Sequence, residues 1–553
     1  MLAGKRMGLF NEDLSKEKNM QSAIEADEVR GTSTFRHPLW LAIAALVLGV
    51  SVEVLFDGHP LGISLPIWAT LCILALLAMA TREGVRLKWP ETGLVVLILF
   101  FSTMVFLRLE PLTVFLNLAL TLALFALWVR TFRHEKLTDF GWLDFGLTLI
   151  GVPLEAWIHP WPVAQTAWRQ VVGERGERSR LLAILRGFLL AFPIVLIFAA
   201  LLVSADLVFA DYVKNALRWF DLARLADWFR RALVVIVSGI FFLGILVSAL
   251  RERSDKPVFG FQRPSLSPFI GFIESMVVLG AVDLLFAGFV AIQFAYLFGG
   301  QENITAAGYT YSEYARQGFG ELVVVAVLSL GLILTFGNWV KREGKRYSAW
   351  FNGLSAGLVG LVGVILVSAL KRLLLYENAY GFTRLRTYTH VAIYWMGLLF
   401  VAFLLLLITG HLRRFALAAA LGVIGFVATL SLLNVDAFIT NRNTVRLAET
   451  GEIDVDYLST LSDDAVPGLI HLAKTSPDWV SDELLPYLAC RQAILSDRDE
   501  RLSWQSYHLS NSRAQNLLSH MDEELGNYRV EHTERGWMVT GPDGEQGCSW
   551  SGD

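Results

Sequence analysis

The sequence predicts an all-α polytopic membrane protein of about eleven transmembrane helices. A small, mostly α-helical C-terminal soluble domain follows and ends in a β-hairpin. Three observations carry this reading. Of the 553 residues, 54% are apolar and only 18% are charged. The apolar residues fall into long serial runs with few charges, as in helices that must satisfy their own backbone in lipid. After residue 433 the runs stop, and short helical patterns punctuated by Asp and Pro take over.

In order along the chain, residues 1–37 are polar and charge-mixed, lack the pattern of a cleavable signal, and read as a disordered cytoplasmic tail. Spans are expected over 38–56, 61–81, 92–107, 112–129, 187–209, 232–250, 269–298, 320–340, 350–370, 390–410 and 415–433. Together these make a transmembrane domain over 38–433. The alternating pattern of a membrane barrel is absent. Two stretches inside that domain read as interfacial. Residues 130–186 are rich in tryptophan, but Asp144, Pro153 and Glu155 argue against a full crossing. Residues 211–231 place apolar and charged side chains on separate helical faces. The C-terminal domain, 434–553, carries helical patterns over 451–474, 479–495 and 512–524 before the hairpin in "NYRVEHTERGWMVTGPDGEQ".

With the N-terminus inside, cytoplasmic loops hold 21 Lys/Arg and the opposite loops 11, which favours N-inside and a C-terminal domain outside. A net charge of −4 offers no basic field for nucleic acid. Cys72 lies in an apolar run, and Cys490 and Cys548 can pair only if the tail lies in an oxidising compartment. Their pairing is left open by the sequence. No CxxC, HExxH or other ligand spacing points to a metal or cofactor, and no nucleophile–base constellation points to an enzyme.

Ionisable residues at membrane depth are functional candidates by default. Asp283 is the clearest, in the middle of its span. Glu274 lies nine residues earlier, on the opposite helical face. Gly353 and Gly357 form a GxxxG pair, which implies close approach of another helix. Thr310 and Glu313 fit a capping box, with Arg316 one turn on from Glu313 and Glu321 at the membrane edge. The segment 371–390, "KRLLLYENAYGFTRLRTYTH", holds Arg372, Tyr376, Glu377, Tyr380, Arg384 and Arg386. Lys371 and Arg372 read as a snorkelling helix end, Gly381 as the stop of a helix, and Thr383 as the cap of the next. Two spans separate 299–319 from 371–389, and two more separate that loop from Asn434 and Asp436. All three segments therefore emerge on one face, whichever way the chain is oriented.

These segments also carry a family resemblance. "FVAIQFAYLFGG" (289–300), "YTYSEYARQGFGEL" (309–322), "LYENAYGFTRLRTY" (375–388), "NVDAFITNRN" (434–443), "DVDYLSTLSDDAVPGLI" (454–470) and "SWQSYHLSNSRAQ" (503–515) are similar to motifs of a bacterial family. The chain resembles the integral membrane proteins of the domain-of-unknown-function 4153/4173 family over roughly residues 180–520. It departs from the pattern where Val435 replaces the proline of Asn-Pro-Asp and where Arg442 replaces a tyrosine. The resemblance implies architecture and no established activity.

Three functions are compatible with these residues. The first is a non-enzymatic sensor, regulator or envelope partner of the bacterial inner membrane. In it the gathered loops meet the C-terminal domain, and an envelope protein or an anionic lipid binds at the outer face. The second is a secondary transporter using Asp283. The third is a membrane-embedded enzyme acting on lipid-linked substrates.

Overall fold

The computed structural model describes residues 35–85, 89–133, 137–172, 201–206, 222–251, 271–297, 319–339, 345–501 and 503–548 except 535 and 543, with scattered further positions between 187 and 208. The membrane portion is built from α1 (Pro38–Phe56), α2 (Ser64–Arg82), α3 (Trp89–Leu107), α4 (Pro111–Thr131), α5 (Trp142–Ile158), α6 (Pro160–Val172), α7 (Leu222–Leu250), α8 (Phe272–Leu297), α9 (Phe319–Trp339), α10 (Lys345–Tyr380), α11 (Arg384–Ile408) and α12 (Phe415–Leu433). Eight helices are long and apolar enough to cross a membrane among the described residues, and Thr92–Leu107 and Gly320–Phe336 are shorter apolar helices. The expected span at 187–209 is described only in part: residues 201–205 are helical, and just under half of its positions lie outside the described residues.

Two expectations need correction. The segment 371–390 is not a loop. α10 runs on through Tyr380, and residues 381–383 alone are non-helical before α11. Leu373 and Glu377 are fully buried, so the last turns pack against neighbours and extend the helix past its apolar run. Gly381, at φ 76°, then ends it as expected. Thr383 occupies the cap position of α11, but its side chain makes no capping hydrogen bond. Likewise, residues 222–231 form the opening turns of α7 rather than a separate interfacial helix; 211–221 lie outside the described residues. Arg230 pairs with Asp227 and Asp57, and Arg231 with Asp227 and Glu53, so these charges are neutralised where α7 meets the end of α1.

Helix packing follows small residues, though not the ones the GxxxG spacing indicated. A Cβ on Gly49 would lie 2.6 Å from the Val235 carbonyl oxygen, and one on Gly244 only 1.7 Å from that of Ala156. α1 with α7, and α7 with α5, therefore approach backbone to backbone. Around Gly353, by contrast, a Cβ would meet nothing within 4 Å among the described residues. The apolar core divides into one cluster built mainly on α1–α7 and another on α8–α12. Within the second, the buried Ser368 hydroxyl donates to Gln293 at 2.5 Å.

Asn434 joins α12 to α13 (Val435–Thr450) with φ 54°, the left-handed region that asparagine tolerates better than most residues. The C-terminal domain continues through α14 (Val455–Ser459), α15 (Val466–Thr475), α16 (Asp478–Arg501), α17 (Leu509–Ser519) and α18 (Asp522–Leu525). Its core holds Leu458, Leu469, Leu484, Leu488 and Leu518. The terminal hairpin is in fact a three-stranded antiparallel sheet, β1 (Arg529–Thr533), β2 (Gly536–Gly541) and β3 (Gly544–Gly547). The third strand forms because Gly544, at φ 119°, turns the chain back on β2. Cys490 of α16 and Cys548 are disulfide-bonded, which staples the sheet to the helices.

The domain sits on one end of the bundle, touching the α1–α2, α3–α4 and α10–α11 connections. At the other end, the amides of Arg36 and His37 donate to Glu83. α5 meets that other end twice: Trp142 packs near Phe415 at the start of α12, and Glu155 pairs with Arg130 at the end of α4.

Candidate functional site

The parity of the spans gathers polar residues beneath the C-terminal domain, and the structure joins them into a buried seam. Asn434 turns the chain so that Asp436, on the first turn of α13, is fully buried. Arg384, at the first position of α11, donates to it through both arms of its fork: Nε to Oδ1 at 2.8 Å and Nη2 to Oδ2 at 2.6 Å. The amide of Ser462 donates to Oδ2 at 2.8 Å, and the Arg384 amide donates to the Tyr457 hydroxyl at 2.7 Å. One turn along α11, the Tyr388 hydroxyl donates to Glu110, which is buried and also caps α4 through the amides of Leu112 and Thr113.

Further along α13, Asn443 clamps the tight turn: its Oδ1 accepts from the Phe382 amide, and its Nδ2 donates to the Phe382 carbonyl, both at 2.9 Å. Arg446 donates to the carbonyls of Asn378 and Ala379, and Arg386 to those of Tyr380 and Gly381. Four of the orphan carbonyls at the end of α10 are thus satisfied by arginines, which also suit the negative end of the helix dipole. The Arg386 guanidinium also lies 4.0 Å from the ring centre of Tyr376. Behind this, the fully buried Glu377 meets His390 Nδ1 at 3.3 Å.

Two more ties complete the seam. Asp464 accepts from the Leu109 amide at 2.8 Å and the Ser510 hydroxyl at 2.5 Å, with Arg108 at 3.9 Å. Burial pushes its carboxyl above the usual carboxylate range. Asp463 pairs with the buried Arg491 at 2.6 Å, and Arg491 donates to the Leu461 carbonyl. A strap over 503–510 then binds the α1–α2 connection: His508 Nε2 donates to the Leu61 carbonyl at 2.5 Å, and the Ile63 amide to that of Tyr507 at 3.0 Å.

Burial pushes the His508 imidazolium below the usual histidine range, outweighing its hydrogen bonds to the backbone of Leu61 and Phe106. A lowered folded-state value favours the neutral ring. Its stabilising contribution is complete above the unfolded-state value and is lost as pH falls from there through the folded-state value. The protection factor of the Ile63 amide, its exchange relative to the intrinsic rate at each pH, should therefore fall as pH drops below the unfolded-state value in wild type and change much less in His508→Gln.

Of the residues singled out from sequence, Arg384 and Asp436 meet directly, Asn434 orients them, and Tyr376, Glu377, Tyr380 and Arg386 lie around the same turn. Arg372 is buried within α10. Glu321 opens α9 and is exposed, and Glu274 caps its own helix through the Gly271 amide. Asp283 stands apart, on a groove between α8 and α10 lined by Gly280, Gly357 and Gly360. Glu313 and Arg316 lie outside the described residues. Sequence reasoning missed Glu110, Asn443, Arg446, Asp463, Asp464, Arg491 and His508. A signal existed for Asn443: with Asp436, Ile439, Thr440 and Leu447 it marks one buried face of α13 at helical spacing. At the position of the missing tyrosine, the Arg442 guanidinium lies 5.4 Å from the ring centre of Phe438.

Serial apolar helices under a polar-seamed C-terminal domain define a multi-pass membrane protein. A family model described as "Domain of unknown function (DUF4153)" matches residues 94–472, more than half of the chain, and the chain belongs to that family. The match contains Glu110, Arg384, Asp436, Asp463 and Asp464, while Arg491, the strap and the disulfide lie beyond it. No curated protein and no solved structure matches the chain.

Proposed function

We propose that this is a non-enzymatic sensor, regulator or envelope partner of the bacterial inner membrane, in which the C-terminal domain reports on, or is held by, the helix bundle. The observation that carries this reading is the Arg384–Asp436 fork. The motif residues spend their hydrogen bonds on one another across the joint between bundle and domain, as a mechanical coupling requires. The N-terminus is cytoplasmic and the domain lies outside. The excess of Lys/Arg in the cytoplasmic loops supports this, as does the Cys490–Cys548 disulfide, which belongs to an oxidising compartment. On that outer face, Arg386 and Arg442 offer charge to an anionic lipid or an acidic segment of an envelope protein. A phosphatase that works only outside the cytoplasm, fused after residue 553, should be active; cytoplasmic reporter activity there overturns the orientation. Complementation of a deletion strain by Arg384→Gln/Arg386→Gln at wild-type level overturns the coupling role.

The Asp283 groove favours a second reading, a secondary transporter with Asp283 as its proton or cation site. Solute uptake into proteoliposomes that disappears in Asp283→Asn supports it, and no uptake across a broad solute panel removes it.

A further inference from the structure

The strap over 503–510 has its polarity reversed. Gln505, Ser506, His508 and Ser510 are buried, at 9%, 3%, 7% and 8% exposure, whereas Trp504, Tyr507 and Leu509 are exposed at 58%, 43% and 45%. A segment facing water places these residue types the other way round. We infer that the strap seats its apolar side in the headgroup layer of the bilayer, so that the C-terminal domain lies flush on the membrane surface.

Depth supports lipid as the occupant. Gln505 donates to the Val54 carbonyl in the last turn of α1, and Ser510 to that of Leu107, the last residue of α3. Ser506 donates to the Pro60 carbonyl, just before α2. The strap is thus tied to the ends of three helices. α1 has 19 residues, and at about 1.5 Å per residue this matches the roughly 30 Å thickness of the hydrocarbon core. Its ends therefore lie at the boundary between acyl chains and headgroups, and so does whatever is bonded to them. Trp and Tyr are the residues whose amphipathic rings suit that layer. The Tyr507 ring also lies 6.0 Å from Phe106, and Val54 beside the strap is itself 46% exposed, so the apolar surface of the bundle continues onto the strap. The inference rests on the membrane reading only for the depth of the helix ends.

Spin labels on variants of the full-length protein that carry one added cysteine, with Cys72→Ala and the Cys490–Cys548 disulfide intact, reconstituted in phosphatidylethanolamine–phosphatidylglycerol vesicles, test it. Trp504→Cys and Leu509→Cys probe the strap independently. Leu46→Cys, midway along α1, marks the bilayer interior, and Glu531→Cys, on β1, marks water. Collision with oxygen relative to a water-soluble nickel chelate should be several-fold higher at 504 and 509 than at 531, yet lower than at 46. Labels at 504 and 509 that match 531 overturn the inference. Labels there that are shielded from both reagents show a protein partner or a second copy, and also overturn it. If the label at 46 also reports water, the membrane reading itself has failed.

Discussion

Arg384→Met should destabilise the protein by about 3–5 kcal/mol, the usual cost of leaving a buried charge without its partner. Asp436 is fully buried and would keep only the Ser462 amide at 2.8 Å. Desolvation that the guanidinium now offsets would then act in full on the carboxylate. The converse change, Asp436→Leu, should cost less, because Arg384 is 23% exposed and can reach water. The double variant Arg384→Met/Asp436→Leu should recover most of the loss, since an apolar pair of similar volume is often as stable as a buried ion pair. Unfolding midpoints in detergent for the four proteins form a double-mutant cycle; additive losses would show that the fork does not couple the two residues. Arg384→Lys should recover only part, because an ammonium cannot make the two parallel bonds.

Removing the disulfide is the second large effect. Cys490 and Cys548 are separated by 58 residues, and closing a loop of that length is worth roughly 4 kcal/mol in the chain-entropy account. The loop contains α17, α18 and the sheet, so the loss falls on the C-terminal domain. Cys490→Ser/Cys548→Ser should lower the melting transition of the domain and make β1–β3 sensitive to protease, leaving the bundle's transition in place. Two thiols that label in the native protein, taken from membranes under non-reducing conditions, would contradict both the bond and the outward orientation.

The helices were legible because apolar runs announce themselves, and the shared face of 371–389 and 434 onward followed from counting crossings. Other features depend on neighbours that no local pattern reveals. α10 outruns its apolar stretch because the buried Glu377 finds a partner in His390, thirteen residues away and on the next helix. Gly353 and Gly357 carried the packing motif, yet the close crossings fall at Gly49 and Gly244, which have no such spacing. A small residue permits close approach, but only the opposing backbone decides whether it is used. Arg384 and Asp436 were legible as candidates because the parity of the spans brings their segments to one face and both lie in the resembling motifs. No local pattern sets Glu110, Asp464 or Arg491 apart. Only the docking of that domain makes them buried.

The bundle has two apolar clusters, and the C-terminal domain holds both from above. It grips the first through the α1–α2 and α3–α4 connections and the second through the α10–α11 turn. It therefore works as a yoke. Any tilt of α1–α7 against α8–α12 must appear as shear along the seam, where hydrogen bonds resist it and Asn434 is the natural pivot.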